Sequence, residues 1–248
     1  MALFKSLVCL SLAVLSAAAP QCVTTKAAPA PAMPLGGLAP PPANLTLKHI
    51  ALGFGIQNYT CAQQGGRAAA NGALAMLYDV TDRFPGRGDE ALSEEDFNKL
   101  TGDILKKGPP PLNFNKQSAE GRANPAFPGA SATGPFPPDA DLKLCKGKPL
   151  PFFGHHFFSS SNVPTFVSKN GELNMPVNLT QGVDAPNAKV SGQKEPSTVK
   201  WLSLTALDGA VGAKMVYRVL TAGGVSHGCK NGTGGDSSAY TTTYWFYG

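Results

Sequence analysis

The chain has 248 residues, with 21 Lys and Arg against 16 Asp and Glu, for a formal charge of +5. That excess is mild, and no Lys/Arg cluster marks a face for nucleic acid, so a nucleic-acid partner is excluded on charge patterning. No apolar run in the chain is long enough to span a bilayer, which excludes a helical membrane span.

Lys5 precedes the apolar run Leu7 to Leu15, and the small residues Ser16-Ala-Ala-Ala19 follow. A charged start, a short apolar centre and a small-residue end are the parts of a secretory signal peptide. Residues 1–18 are therefore expected to be removed, Pro20 favouring cleavage after Ala18 over Ala19. Loss of Lys5, the one charged side chain among them, lowers the charge from +5 to +4. Tyr240 to Gly248 has no apolar tail of the length that a lipid-anchor signal needs. A secreted protein, extracellular or in the cell wall, is expected.

Cys9 leaves with the leader, and Cys22, Cys61, Cys145 and Cys229 remain. An even number in an exported chain points to two disulfides with three possible connectivities. No C-x-x-C pair occurs, so metal ligation is the weaker reading and no metal or other cofactor is expected. N-x-S/T sequons stand at Asn44, Asn58, Asn178 and Asn231, each a potential glycan site on the surface of a glycoprotein.

Residues 19–43 are rich in Ala and Pro, lack periodicity and read as an extended, mobile linker. From 44 to 248 one β-rich domain is expected, carrying an insertion at about 82–150. Leu45, Leu47 and His49 alternate with polar residues, and Gly53 to Cys61 forms a second period-two run. Gly53 and Gly55 there mark a bulge or the close approach of another strand. Tyr59 and Cys61 share one face, and Ile56, Asn58 and Thr60 the other, which a glycan on Asn58 would turn to solvent. Gln63 to Gly72 is turn-rich, and Ala73 to Val80 reads as a strand.

The insertion holds one helix. Ser93 is its N-cap with Asp96 in the capping-box position, Leu92 is placed to staple onto Phe97, and Phe97, Leu100, Ile104 and Leu105 form its apolar stripe. Glu94, Glu95 and Asp96 begin it, Lys106 and Lys107 end it, and Gly108-Pro109 stops it. The Pro- and Gly-rich stretch 108–138 reads as a mobile excursion in preference to a lid.

Strand patterns resume at Phe152 to Phe158 and Thr165 to Val167. Glu172 to Val177 is expected to pair back across the Asn170-Gly171 turn. Thr198 to Leu204 is a further strand. Ala213 to Thr221 and Ser238 to Tyr247 are β-branched and aromatic at period two, joined by a long glycine-rich connection. In the first of these, Met215, Tyr217 and Val219 alternate with Val216, Arg218 and Leu220. The aromatic last strand is expected to close the sheet. The fold class is all-β, a mainly antiparallel sandwich or barrel with one helix-bearing insertion. Cys61 sits in a defined strand and Cys229 in the final connection, so these two are expected to pair, leaving Cys22 with Cys145.

Six stretches together carry a family resemblance. They are Ala51-Leu-Gly-Phe-Gly-Ile-Gln-Asn-Tyr-Thr-Cys61, Gly72-Ala-Leu-Ala-Met-Leu-Tyr-Asp-Val-Thr81, Gly154-His-His-Phe-Phe158, Val199-Lys-Trp-Leu-Ser-Leu204, Tyr217-Arg-Val-Leu-Thr-Ala-Gly-Gly224 with Cys229, and Tyr244-Trp-Phe-Tyr247. The chain resembles a secreted fungal family with bacterial relatives, catalogued as a domain of unknown function, whose members are often labelled malate dehydrogenase. The resemblance spans about residue 45 to the end and is weakest over 82–150. A nicotinamide dehydrogenase needs a strand, a G-x-G-x-x-G turn and a helix whose N-terminus receives the pyrophosphate. Gly53-Phe-Gly-Ile-Gln-Asn58 lacks the third glycine and runs on into a strand, so the residues do not support that label.

The chemistry-bearing residues are few. His155 and His156 are neighbours in a strand and face opposite ways, His156 with Gly154 and Phe158, His155 with Phe153 and Phe157. A metal or acid–base site would draw on His156, His227 and Asp79, without any H-E-x-x-H or H-x-H spacing to back it. Gly224-Val-Ser226-His-Gly228 matches G-x-S-x-G, yet a nucleophile elbow joins a strand to a helix, whereas here Cys229 and another strand follow. It reads as a turn. Tyr59, Trp201, Tyr244 and Trp245 would stack on sugars if exposed, Trp201 and Trp245 being the carbohydrate-binding candidates, and would otherwise be core. Two functions follow. The preferred one is a non-catalytic extracellular protein that binds a cell-wall polysaccharide or a surface protein; the other is a secreted enzyme using His156, His227 or Asp79.

Overall fold

The structure, a computed structural model, describes residues 32–115, 121–144, 147–186, 188 and 197–248. The expected leader, Cys22, Cys145 and hence the expected Cys22–Cys145 bond lie outside the described residues.

Eight strands form a closed antiparallel barrel: β1 (Leu47–Cys61), β2 (Ala69–Asp79), β3 (Phe152–Phe158), β4 (Pro164–Ser168), β5 (Asn174–Val183), β6 (Trp201–Ala206), β7 (Met215–Gly223) and β8 (Gly234–Tyr247). Each pairs with the next in sequence, and β8 returns to β1 over most of both strands, Ile50 opposite Trp245 and Cys61 opposite Gly234. Of the two all-β architectures expected, this is the barrel. The aromatic last strand closes the sheet, as its pattern implied. The two expected runs fall in one strand of 15 residues, Leu47–Cys61, with Leu45 just before it.

The strands are apolar on both faces because both are covered. Inside the barrel Ala51, Leu77, Phe166, Met175, Val216, Tyr244 and Phe246 form one buried cluster. Outside it Ile50, Leu52, Phe54, Ile56, Met76, Tyr78, Tyr217, Val219 and Trp245 form a second, under the insertion. Fully covered strands lose the clean apolar/polar alternation of a half-solvated sheet.

The helix α1 (Glu94–Lys107) starts as expected, with the Ser93 hydroxyl accepting from the Asp96 backbone N–H at 3.1 Å. Its buried residues are Phe97, Thr101 and Ile104. Phe97 lies edge-on to Phe84 and to Trp245, with ring centroids 5.1 and 6.4 Å apart, and the Thr241 hydroxyl donates to the Thr101 carbonyl at 2.6 Å. The helix is thus the outer wall over β7 and β8. The stretch after it is packed where it is described, not an excursion. Leu112, Ala123 and Asn124 are buried, the Ala123 N–H donates to the Gly235 carbonyl, and the Asn124 side chain donates to the Gly228 carbonyl. The insertion reaches Ile56 as well. That residue, expected on a solvent face with Asn58, is only 2 % exposed and shares its cluster with Leu112 and Phe114. Asn58 accepts from the Ser237 hydroxyl at 2.8 Å.

Part of the expected linker is also packed. Leu38 is buried, and the Gln181 side chain accepts from the Ala39 N–H. Gly36, at φ +56°, lies so close to Trp201 that a Cβ there would be 2.7 Å from the indole.

One register shift changes a face assignment. Between Leu77 and Tyr78 the β2–β3 pairing slips, so that Gly154 is opposite Leu77 and Phe152 opposite Tyr78. The extra residue, Phe153, turns into the interior cluster beside Phe246, and Phe152 moves to the outer side with His155. His155 therefore packs against Phe152 and Phe136, not with Phe153.

Candidate functional site

The barrel interior is packed on the Phe246 side, where Phe153, Phe166 and Phe246 meet with ring centroids 5.4–6.0 Å apart. Toward the other end it opens into a cavity of about 390 Å³, and all eight strands contribute to its wall. Gln57 comes from β1, Ala73 from β2, His156 and Phe158 from β3, Phe166 from β4, Val177 and Leu179 from β5, Leu202 and Leu204 from β6, Arg218 from β7 and Tyr244 from β8. Small residues on β1 let its neighbours come close. Gly53 faces Tyr244 so closely that a Cβ would sit 2.5 Å from the phenol ring, and a Cβ on Gly55 would meet the Leu74 carbonyl at 1.8 Å. Of the two roles expected for these glycines, close approach is the one they play, since the β1 register runs unbroken past both.

Asn71, Asn162 and Asn178 add polar side chains to this wall, and its charged residue among the described lining is Arg218. The residue is 8 % exposed, and its Nε and Nη2 donate to the Lys200 carbonyl at 3.2 and 3.0 Å, while Nη1 reaches the Gln57 side-chain oxygen at 3.4 Å. The Tyr244 oxygen is also within its reach, and Tyr244 is hydrogen-bonded to Tyr240 at 3.0 Å. Both phenols are held above their ordinary pKa by burial, which the positive charge of Arg218 partly offsets. His156 lies flat against Phe166, centroids 4.1 Å apart, and its Nδ1 is 3.0 Å from the Thr165 carbonyl. An imidazole there donates from Nδ1, leaving Nε2 as the acceptor. Burial, reinforced by Arg218 and opposed by the bond to Thr165, pushes its pKa down to about 4. The imidazole is neutral at physiological pH.

A neighbouring cavity of about 440 Å³ shares Gln57, Ala70, Leu202 and Arg218 with the first, and adds Arg67, Lys200, Asp184 and Ser226. Lys200 is ion-paired with Asp184 at 3.2 Å.

The sequence-expected catalytic group does not assemble. His156 is inside the barrel. Asp79 closes β2, where its carboxylate accepts from the Thr81 N–H at 2.8 Å. His227 lies in the β7–β8 connection, stacked on Phe127 with ring centroids 3.5 Å apart. Its partner is Asp236, whose carboxylate takes bonds from the Ser226 hydroxyl (2.6 Å) and the His227 N–H (2.8 Å) and lies 3.0 Å from His227 Nδ1. Burial works to raise the Asp236 pKa, but the bonds from Ser226 and His227 outweigh it and hold the carboxyl below its usual value. Ser226 spends its hydrogen on Asp236 and accepts from the Gly228 N–H at 3.0 Å. In a serine hydrolase the imidazole stands between serine and acid. Here the acid stands between serine and imidazole, which is the bonding of a turn.

Trp201 and Trp245 are 5 % and 0 % exposed, so neither ring faces solvent. Trp201 lies under the Gly36 segment and Trp245 under Phe84 and Phe97. Tyr59 donates its hydroxyl to the Gly224 carbonyl. Among the described residues no group of three or more His, Cys, Asp or Glu is placed to hold a metal. Asn44, Asn178 and Asn231 are exposed, and Asn178 stands at the rim of the first cavity.

Sequence reasoning missed Arg218 and Gln57 as site residues, and Asp236 as the partner of His227. A signal for Arg218 was present: it alternates with Val216 and Leu220 opposite Met215, Tyr217 and Val219, so neither face of that strand reads as a polar one.

The family described as "Protein of unknown function (DUF3455)" matches residues 41–248. The chain belongs to this family. The matched span contains the whole barrel, helix α1 and the bond between Cys61 and Cys229, so the cavity belongs to the DUF3455 domain itself. No curated protein and no solved structure matches the chain.

Proposed function

We propose that this DUF3455 protein is an exported, non-catalytic binding protein that holds a small molecule with an apolar body in the open end of its barrel. The observation that carries the reading is a cavity of about 390 Å³ walled by all eight strands, lined by apolar side chains such as Phe158, Phe166, Leu202 and Leu204, with polar side chains spaced around it and one charged residue, Arg218, among its described lining. Small-molecule sites have this composition and fall in the range of roughly 300–1,000 Å³. Export is supported by the Lys5 and Leu7–Leu15 leader pattern, and the Cys61–Cys229 disulfide suits an oxidising compartment. The place of action would be the extracellular medium or the cell wall. Since Trp201 and Trp245 are covered, binding is drawn to the barrel interior and away from an aromatic face for polysaccharide.

Titration of the purified protein with a neutral apolar fluorophore, N-phenyl-1-naphthylamine, tests this. One saturable site is expected, lost when Leu202→Trp fills the mouth while the disulfide and far-ultraviolet circular dichroism stay unchanged. A native protein that gives no saturable signal would sink the reading.

A further inference from the structure

The cavity wall carries one charged residue among its described members, and it is Arg218. Among the described residues no Asp or Glu lies along this wall and no carboxylate forms an ion pair with Arg218. Its recorded partners are the Lys200 carbonyl, the Gln57 amide oxygen and the Tyr244 phenol, all neutral. A residue only 8 % exposed that keeps a full positive charge without a counter-ion among the described residues is unusual, because buried charges are paired in nearly all proteins. His156 does not change that balance, being neutral. Tyr240 and Tyr244 are held in their protonated forms by burial.

We infer that the cavity takes an organic monoanion, a carboxylate with an apolar body, whose head pairs with Arg218. The inference rests on the binding reading above and adds the chemical class of the ligand. A planar guanidinium offers a fork of N–H donors that matches a carboxylate, and a monoanion makes the loaded site neutral. The apolar body lies against Phe158, Phe166, Leu202 and Leu204. At roughly 30 Å³ per non-hydrogen group, a cavity of about 390 Å³ encloses about a dozen such atoms, and a larger body extends through its open end. Among the described residues, the adjoining cavity adds Arg67 and Lys200 against Asp184, a net positive charge beside the same guanidinium.

The test uses three molecules of one chain length, decanoate, decanol and decylamine, each displacing N-phenyl-1-naphthylamine from the native protein at neutral pH. Decanoate is expected to act at a concentration on the order of 10–100-fold below decanol, the range of a charge-assisted hydrogen-bonded pair, and decylamine to act weakest. Arg218→Gln should erase the difference between decanoate and decanol, and Arg218→Lys should keep part of it. The native series decides the matter without any variant. Equal displacement by decanol and decanoate overturns the anion class while leaving the cavity as a binding site. Saturable fluorophore binding that is absent altogether overturns both.

Discussion

A single neutral imidazole gives the molecule an acid limit. His156 has a folded-state pKa of about 4 against about 6.5 for an unfolded chain, so the unfolded state binds the extra proton as pH falls between those values. The stability associated with a neutral His156 is complete above pH 6.5 and is lost as pH drops toward 4, by about 3 kcal/mol. Urea midpoints at pH 7.5 and 4.5 should therefore differ more for the native protein than for His156→Phe, which keeps the stack on Phe166 and cannot protonate. Equal differences in the two proteins would contradict this assignment. The sequence placed His156 correctly on a face with Phe158 but did not reveal what lay across the barrel from it. Arg218 and Tyr244 approach it from β7 and β8, some sixty to ninety positions later in the chain, and only closure brings them near. Asp236 was hidden for a different reason: in Gly234-Gly-Asp-Ser it reads as an ordinary turn residue, and nothing local tells that three bonds will converge on it.

At the scale of elements, two glycines with the same substitution should respond in opposite directions. Gly55→Ala puts a methyl 1.8 Å from the Leu74 carbonyl of the paired strand, a backbone atom that cannot step aside without opening β1 from β2. A cost of about 3 kcal/mol or more is expected, at the upper end for overpacking. Gly102→Ala, on the helix where a Cβ meets nothing within 4 Å, should instead add about 1 kcal/mol through helix propensity. Chemical denaturation of both variants checks the pair of signs. Most of the strands were legible from period-two alternation and their turns, and the helix from its cap, stripe and charges. The bulge at Phe153 was not, since a register slip belongs to the pairing of two strands and leaves no mark in either alone. The packing of the described part of 108–138 was also missed. Its Pro and Gly content reports the absence of regular structure, whereas its order comes from Ala123, Asn124 and Leu112 docking on the barrel.

For the whole molecule, the disulfide between Cys61 and Cys229 ties the end of β1 to the connection before β8 across a sequence separation of 168. On the chain-entropy account a loop of that length is worth about 5 kcal/mol of stability. Replacing both cysteines by Ala should remove up to that amount while leaving the barrel pattern in circular dichroism, and non-reduced peptide maps should show the Cys61–Cys229 pair in the native protein. The barrel's closure has a further consequence in time. β1 is the first strand to be synthesised and β8 the last, yet they are hydrogen-bond neighbours along nearly their whole length. Until residues 234–247 have emerged, β1 has one edge unpaired, and the apolar residues meant for the interior are without their wall. Topologies dominated by such distant pairings fold slowly. The nascent chain must therefore cross a stretch of its synthesis as an open, sticky sheet. Its survival there depends on whatever holds that edge until the last strand arrives.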